Sequence, residues 1–494
     1  MENSVEQIRT GIAGLDTILD GGLAPHHPYL VRGDHGSGKT TFGLQFCMAG
    51  VEQGERVLFL STCESEGEIR EIAASHGWSL DGVTIHYHDA RDTLGNGPDQ
   101  SIFHPSEVEL PRTIEDILSV VREVEPQRLV IDSLSEIKLL AADIRWFRRQ
   151  VLLLREELVG RKCTTFFCGG RETVDDPVES IVHGVVDLQH NPPDYGPDRR
   201  RLRLVKMRGQ QYISGYHDMR ILTGGVEVYP RLVAADHPGR HEPETISSGV
   251  PELDALFCGG ADRGATTLLL GPAGTGKSII ATQYVLAAAQ RGEAAAVYTF
   301  DEQRGTFLQR AKGVGMDLTE HIENGTIALQ QIDPAALSPG EFSHAVQCAI
   351  EQRGVRLVVI DSLSGYVHAM PSERALALHL HELLAYLNQQ GVTVMLTMAQ
   401  HGLPGSHHYT PFDLSYIADS VLLLHMFEFA GQLRRAISLY KRRSGPHERT
   451  LRELQFTDSG IRIGEPLRQF QKILSGMPDY MGETLPHVDD NEQS

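Results

Sequence analysis

The pattern G-x-x-x-x-G-K-[ST] occurs twice, as Gly33-Asp34-His35-Gly36-Ser37-Gly38-Lys39-Thr40 and as Gly271-Pro272-Ala273-Gly274-Thr275-Gly276-Lys277-Ser278, with the two lysines 238 residues apart. The same spacing links Gly11 to Gly249, Leu15 to Leu253, Asp16 to Asp254, Gly21 to Gly259 and Glu64 to Glu302. A register kept over so long a stretch marks a tandem duplication. It implies two large domains of one fold, not the roughly three that about 150 residues each would suggest for a chain of 494. The expected division is a first domain at residues 1–235, a polar, Pro-containing linker at 236–246, a second domain at 247–470 and an acidic tail at 471–494, read as a frayed end.

Within each copy, apolar strands alternate with helix-like segments, which predicts an α/β domain with a mainly parallel sheet. Pro28-Tyr29-Leu30-Val31 and Thr267-Leu268-Leu269-Leu270 lead into the repeated glycine-rich segments, and Thr41–Phe46 and Ile279–Tyr284 follow as helices. In that order, backbone N–H groups and the positive end of the helix face a triphosphate. The expected nucleotide-binding residues are Gly33, Gly36, Ser37, Gly38, Lys39, Thr40 and Thr41, and Gly271, Gly274, Thr275, Gly276, Lys277 and Ser278. Lys39 and Lys277 would reach the terminal phosphates, and Thr40 and Ser278 would ligate Mg2+.

Two further elements repeat. Arg128-Leu129-Val130-Ile131-Asp132-Ser133 and Leu357-Val358-Val359-Ile360-Asp361-Ser362 are apolar strands ending in Asp, so Asp132 and Asp361 are the expected carboxylates beside the hydrated magnesium. Strands at Val57–Leu60 and Val297–Phe300 lead to Glu64 and to Asp301-Glu302, acids placed to deprotonate an attacking water or hydroxyl.

Together these motifs resemble the KaiC family of RecA-like ATPases over nearly the whole chain. The entries Thr10-Gly11-Ile12-Ala13-Gly14-Leu15-Asp16 with Gly21-Gly22, and Ser248-Gly249-Val250-Pro251-Glu252-Leu253-Asp254 with Gly259-Gly260, are similar to that family's own. The resemblance implies two tandem RecA-like P-loop domains that use ATP and Mg2+. It also implies a homo-oligomeric ring, a hexamer, in which late K-x-R segments act on the neighbouring subunit's triphosphate. Carried over, those residues are Lys206 and Arg208 in the first copy and Lys441 and Arg443 in the second. Without the resemblance, both segments read as basic edge strands kept soluble by their charges.

Where the family carries two adjacent Glu, the first copy has Cys63-Glu64 and the second Asp301-Glu302. The first site is therefore expected either to hydrolyse slowly through Glu64 or mainly to hold ATP, and the second to be the stronger catalyst. Circadian members carry a Ser-Thr phosphoacceptor pair, here Ser415-Tyr416, which leaves Ser415 as a single acceptor candidate. Gln400 resembles the nucleotide-sensing glutamine of the RecA-like core, with Gly169 or Gly170 in its place in the first copy.

Composition sets the bounds. Hydrophobic residues at 41% and charged residues at 22% are those of a globular chain. No run approaches the roughly 18–20 apolar residues that span a bilayer, and no basic, apolar leader opens the sequence, so a cytoplasmic location is expected. Six cysteines without a C-x-x-C pair read as free thiols. A net charge of −20 argues against a general grip on nucleic acid, since that affinity comes from Lys and Arg displacing counterions. His401, His407 and His408 read as a surface loop, and His379-Leu380-His381-Glu382 lacks the second His of H-E-x-x-H. The expected partner is a regulatory protein. The rival readings are a RecA/RadA-like DNA-dependent ATPase and a scaffold assembled by nucleotide with little turnover.

Overall fold

The computed structural model describes the chain except residues 1–6, 89–104, 172–176, 194–195, 240–241, 334–335, 369–375, 400–416, 476–477 and 483–494. It forms two compact units, Met1–Arg231 and Leu232–Ser494.

The first unit is built on nine strands: β1 (Pro28–Gly33), β2 (Val57–Ser61), β3 (Val83–Tyr87), β4 (Arg128–Asp132), β5 (Thr164–Gly169), β6 (Gly184–Asn191), β7 (Arg199–Met207), β8 (His217–Leu222) and β9 (Gly225–Tyr229). They lie in the order β3-β2-β4-β5-β1-β6-β7-β8-β9. The first six run parallel, and β7, β8 and β9 extend the sheet in antiparallel fashion. The uninterrupted burial of β2, β4 and β5 follows from helices covering both faces, which is why those segments read as continuous apolar runs and not as alternation. One core cluster forms around Phe42, Phe46, Phe59 and Phe166, the other around Leu118, Phe147, Leu154 and Phe167. The helix Lys39–Glu52 lies close on β4 because Gly43 and Gly50 face it, where an added Cβ would come within 2.8 Å of Val130 and 2.7 Å of Arg128.

In the second unit a short ladder, β10 (Thr245–Ile246) with β11 (Ala261–Asp262), precedes a second nine-stranded sheet. Its strands are β12 (Thr266–Gly271), β13 (Ala295–Thr299), β14 (Ile327–Gln331), β15 (Leu357–Asp361), β16 (Thr393–Ala399), β17 (Ser420–Phe429), β18 (Gln432–Arg442), β19 (Arg452–Thr457) and β20 (Gly460–Pro466). The order β14-β13-β15-β16-β12-β17-β18-β19-β20 is the map of the first sheet strand for strand. This is the architecture of two tandem RecA-like α/β domains. The entry motif has the same job in both: Asp16 accepts from the backbone N and hydroxyl of Thr10 at 2.9 and 2.7 Å, and Asp254 from the N of Ser248 at 2.8 Å.

The start of the C-terminal tail is packed, not frayed. β21 (Phe470–Gln471) pairs with β22 (Asp479–Tyr480), and Tyr480 rests against Phe429 and Phe470, so aromatic burial holds what net charge alone suggested would be loose. Among the described residues no helix is long and apolar enough to cross a membrane.

Candidate functional site

Ligands of open α/β sheets bind beyond the carboxyl ends of the strands, and the repeated motifs gather there. β1 and β12 run directly into the glycine-rich loops. Gly36 and Gly38, and Gly274 and Gly276, take left-handed backbone conformations with φ of 72°, 94°, 78° and 97°. Only glycine serves at Gly276, where a Cβ would stand 2.0 Å from the ring of Phe456; at Gly38 it would stand 2.6 Å from Ile221.

Each loop closes over its own lysine. Lys39 donates to the carbonyls of Gly33 and Asp34, both at 2.9 Å, and Lys277 to those of Gly271 and Pro272 at 2.8 and 2.7 Å. Burial pushes the Lys277 ammonium below its ordinary pKa, with the nearby charge of Asp361 opposing. Ser37 is fully buried and its hydroxyl lacks a hydrogen-bond partner, whereas Thr275 at the matching position donates to Pro272 O at 2.8 Å. The orphaned hydroxyl, the left-handed glycines and the lysines suit the phosphates of a nucleotide.

The carboxylates line up beside these loops. β4 lies two strands from β1, and Asp132 at its end accepts from the Thr40 hydroxyl at 2.7 Å. Burial raises the Asp132 carboxyl to about 6, against the Thr40 hydrogen bond. A hard cation is well served by this hydroxyl and carboxylate pair. Asp361 instead accepts from the hydroxyl of Thr397, a residue whose place in the first unit is taken by buried Cys168. The peptide bond after each aspartate is cis.

Glu64 accepts from the Ser61 hydroxyl at 3.3 Å, and Cys63 lies 3.9 Å from the Ser133 hydroxyl. Across the duplication the environment of the acids changes. Both oxygens of Glu302 are taken by Arg310, at 3.1 Å from Nε and 2.7 Å from Nη2, whereas Asp301 accepts one bond of 2.5 Å from the Ser362 hydroxyl. Ile72 stands where the repeat would place Arg310, so the clamp belongs to the second unit alone.

Sequence reasoning missed two arginines. Arg200 and Arg435 each donate Nε to a loop carbonyl, Gly36 O at 3.1 Å and Gly274 O at 3.2 Å. They are in register with His190 and Met426 on the neighbouring strand. The K-x-R residues lie at the far end of the same strands. Lys206 and Lys441 are six residues beyond these arginines, a span of roughly 20 Å at about 3.3 Å per residue. Lys206 donates to Glu179 O, Arg208 to Ser180 O at 2.9 Å and Lys441 to Ala418 O at 2.8 Å, and Arg443 lies 3.4 Å from Asp419. β8 pairs only with residues 200–202 of β7, and β19 only with 435–437 of β18. So β7 and β18 are interior at one end and open on one side at the K-x-R end, which revises the edge-strand reading for the loop-proximal half only.

Register also corrects one assignment. Arg32 pairs with Gly169 and Leu270 with Met398, so the counterpart of Gln400 is Arg171, not Gly169 or Gly170. Gln400 itself lies outside the described residues, as do Ser415, His401, His407 and His408. The helix Leu376–Gln389 carries Glu382, which accepts from Ala234 N at 3.0 Å, and no His, Cys and acid cluster suited to a metal occurs among the described residues.

A family model described as the KaiC ATPase matches twice, over residues 8–233 and 246–468. The chain is 29% identical to the circadian clock oscillator protein KaiC of Prochlorococcus marinus strain MIT 9313, over 96% of each chain. It is 28% identical to the circadian clock protein KaiC3 of Synechocystis, over 98% of this chain and 96% of the relative. It is 28% identical to the circadian clock oscillator protein KaiC of Synechococcus elongatus, over 96% and 92%.

Proposed function

Since this chain belongs to the KaiC ATPase family, we propose that each half binds Mg2+-ATP and that the second half is the faster hydrolase, in a homo-oligomeric ring that acts as a regulatory ATPase. The observation that carries this reading is the duplication of one cradle, Gly33–Thr40 and Gly271–Ser278, each with an aspartate at the end of a strand two places away.

In each half the main-chain N–H groups of the loop, with Lys39 or Lys277, hold and orient the phosphates. Thr40 with Asp132, and Ser278 with Asp361, would hold Mg2+, which would supply positive charge beside the phosphate oxygens. At the second site Asp301 is the general base. Its single hydrogen bond to Ser362 leaves an oxygen to take the proton of the attacking water, while Glu302 is committed to Arg310 and positions that segment. At the first site Glu64 is the only acid of the pair, and turnover there is slow. Lys206 and Arg208, and Lys441 and Arg443, lie too far along their strands to reach the loop of their own domain. Their cationic groups serve the triphosphate of the adjacent subunit, which makes a hexameric ring a condition of activity.

The test is incubation with γ-labelled ATP and Mg2+, following released phosphate and protein-bound label together, with Lys277→Ala and Ser415→Ala as controls. Released phosphate that collapses in Lys277→Ala supports the ATPase reading. Stable label lost in both variants would add autokinase activity at Ser415. No turnover in the wild-type chain would overturn the hydrolase reading in favour of a nucleotide-assembled scaffold.

A further inference from the structure

Arg171 stands two residues past the end of β5, the strand that lies between β4, which ends in Asp132, and β1, which feeds the first glycine-rich loop. This is the carboxyl end of the sheet, beyond which ligands of open α/β sheets bind. Its guanidinium makes two contacts with Asp187, Nη2 to Oδ2 at 2.6 Å and Nε to Oδ1 at 3.2 Å. The remaining nitrogen, Nη1, lies 3.9 Å from Oδ2 of Asp34, the second residue of the loop. A cation is thus already held beside the loop by one of the loop's own anions.

Asp187 is overcommitted. Its side chain is fully buried and also meets Arg32 Nε and Arg203 Nε, both at 3.1 Å. Burial alone would raise its carboxyl, but the three guanidinium groups outweigh that and hold it below its ordinary pKa. If Arg171 left, Asp187 would still be paired twice, so the side chain is free to move without stranding a buried charge.

None of this cluster recurs in the second copy. There Pro272 replaces Asp34, Leu423 replaces Asp187, Leu270 replaces Arg32 and Gln400 replaces Arg171. The first site has therefore lost a carboxylate at Cys63, while the cluster adds three cations, Arg32, Arg171 and Arg203, the last where the second copy has Ser438, against two carboxylates, Asp34 and Asp187, a surplus of one positive charge. A surplus cation at the end of the triphosphate favours the nucleotide with the greater terminal charge, and a missing carboxylate removes the repulsion that would oppose it.

We propose that Arg171 is a terminal-phosphate ligand of the first site, exchanging its contacts with Asp187 and Asp34 for the γ-phosphate of ATP, so that this site selects triphosphate over diphosphate. The inference rests on the reading of the first copy as a nucleotide site.

The experiment uses the full chain with Lys277→Ala to remove binding at the second site. Affinities for ADP and for the slowly hydrolysed analogue AMP-PNP are measured with Mg2+ by calorimetry, in the presence of Arg171, Arg171→Gln or Arg171→Lys. Loss of one charge-assisted contact predicts that Arg171→Gln weakens AMP-PNP roughly 10- to 100-fold with ADP unchanged. Arg171→Lys should restore part of the loss, and Asp34→Ala, which removes the competing anion, should tighten AMP-PNP binding. An unchanged ratio of the two affinities in Arg171→Gln overturns the proposal. Equal weakening of both nucleotides, with no recovery in Arg171→Lys, overturns it in favour of a purely structural arginine. Failure of the Arg171-containing protein to bind either nucleotide overturns the nucleotide-site reading itself and the proposal with it.

Discussion

Asp301 and Glu302 are adjacent but differently engaged, the first by the Ser362 hydroxyl and the second by two nitrogens of Arg310. With Glu64→Gln silencing the first site, Asp301→Asn removes the group assigned to accept the proton. General-base catalysis is worth about 10²–10⁴ in rate, so kcat should fall by that factor, about 2.7–5.5 kcal/mol, with ATP affinity little changed. Glu302→Gln breaks a two-point ion pair whose side chains are 24% and 25% exposed. Partial exposure screens that pair, so its loss should cost about 1 kcal/mol or less, a change of at most about fivefold. Both variants are assayed by steady-state phosphate release at saturating ATP, with nucleotide binding measured in parallel. The reasoning is refuted if Glu302→Gln lowers kcat as far as Asp301→Asn while binding and fold are intact, because the clamped acid would then be the base.

Gly276→Ala should destabilise the second loop by roughly 2–4 kcal/mol, from a φ of 97° that L-residues avoid and a Cβ placed 2.0 Å from Phe456. Adding Phe456→Ala should recover the steric share alone, read as thermal unfolding and ATP affinity; wild-type affinity in the single variant contradicts the geometry. A pH effect is expected at His217. Its Nε2 faces Ile213 O at 3.0 Å and its Nδ1 accepts from Arg231 N at 2.8 Å, and burial lowers the imidazole to about 4. An unfolded imidazole takes up its proton near 6.5, so the stability contributed by the neutral ring is complete above about pH 6.5 and lost as pH falls toward 4, by at most about 3 kcal/mol. Urea unfolding from pH 7 to 4.5 should show a shallower loss in His217→Gln than in the parent, and equal slopes would contradict the assignment.

The loops, their flanking strands and helices, and the terminal aspartates were legible because each motif closes within a few residues and its chemistry fixes residue type. Lys39 meets carbonyls five and six residues away. Arg200, Arg435 and Arg171 were not legible, because each acts across strands far apart in sequence. The constant spacing also misleads beyond the loops. It is 238 at Lys39 and Lys277, 244 at the starts of β3 and β14, and 229 at Asp132 and Asp361. Insertions between strands therefore break the count, which at 238 would set Gln400 against Lys162, so spacing alone does not place the first-copy counterpart of Gln400. Pairing across β1 and β5, and across β12 and β16, does so. The Arg310 clamp could have been found by noting that only the second copy puts a cation eight residues after Glu302, two helical turns on.

In the proposed ring the K-x-R residues of one subunit complete the nucleotide site of the next. This arrangement is tested by co-expressing two chains, each with Glu64→Gln: one carries Lys277→Ala, the other Lys441→Ala with Arg443→Ala. Neither alone should hydrolyse ATP at the second site. In randomly mixed rings made at equal ratio, an interface is competent when an intact loop meets an intact K-x-R segment. About a quarter of the interfaces qualify, so about a quarter of the parental rate should return. Mixed assemblies that stay as inactive as either variant alone would contradict action between subunits and leave Lys441 and Arg443, at the end of β18 far from the loop of their own domain, without a part in turnover.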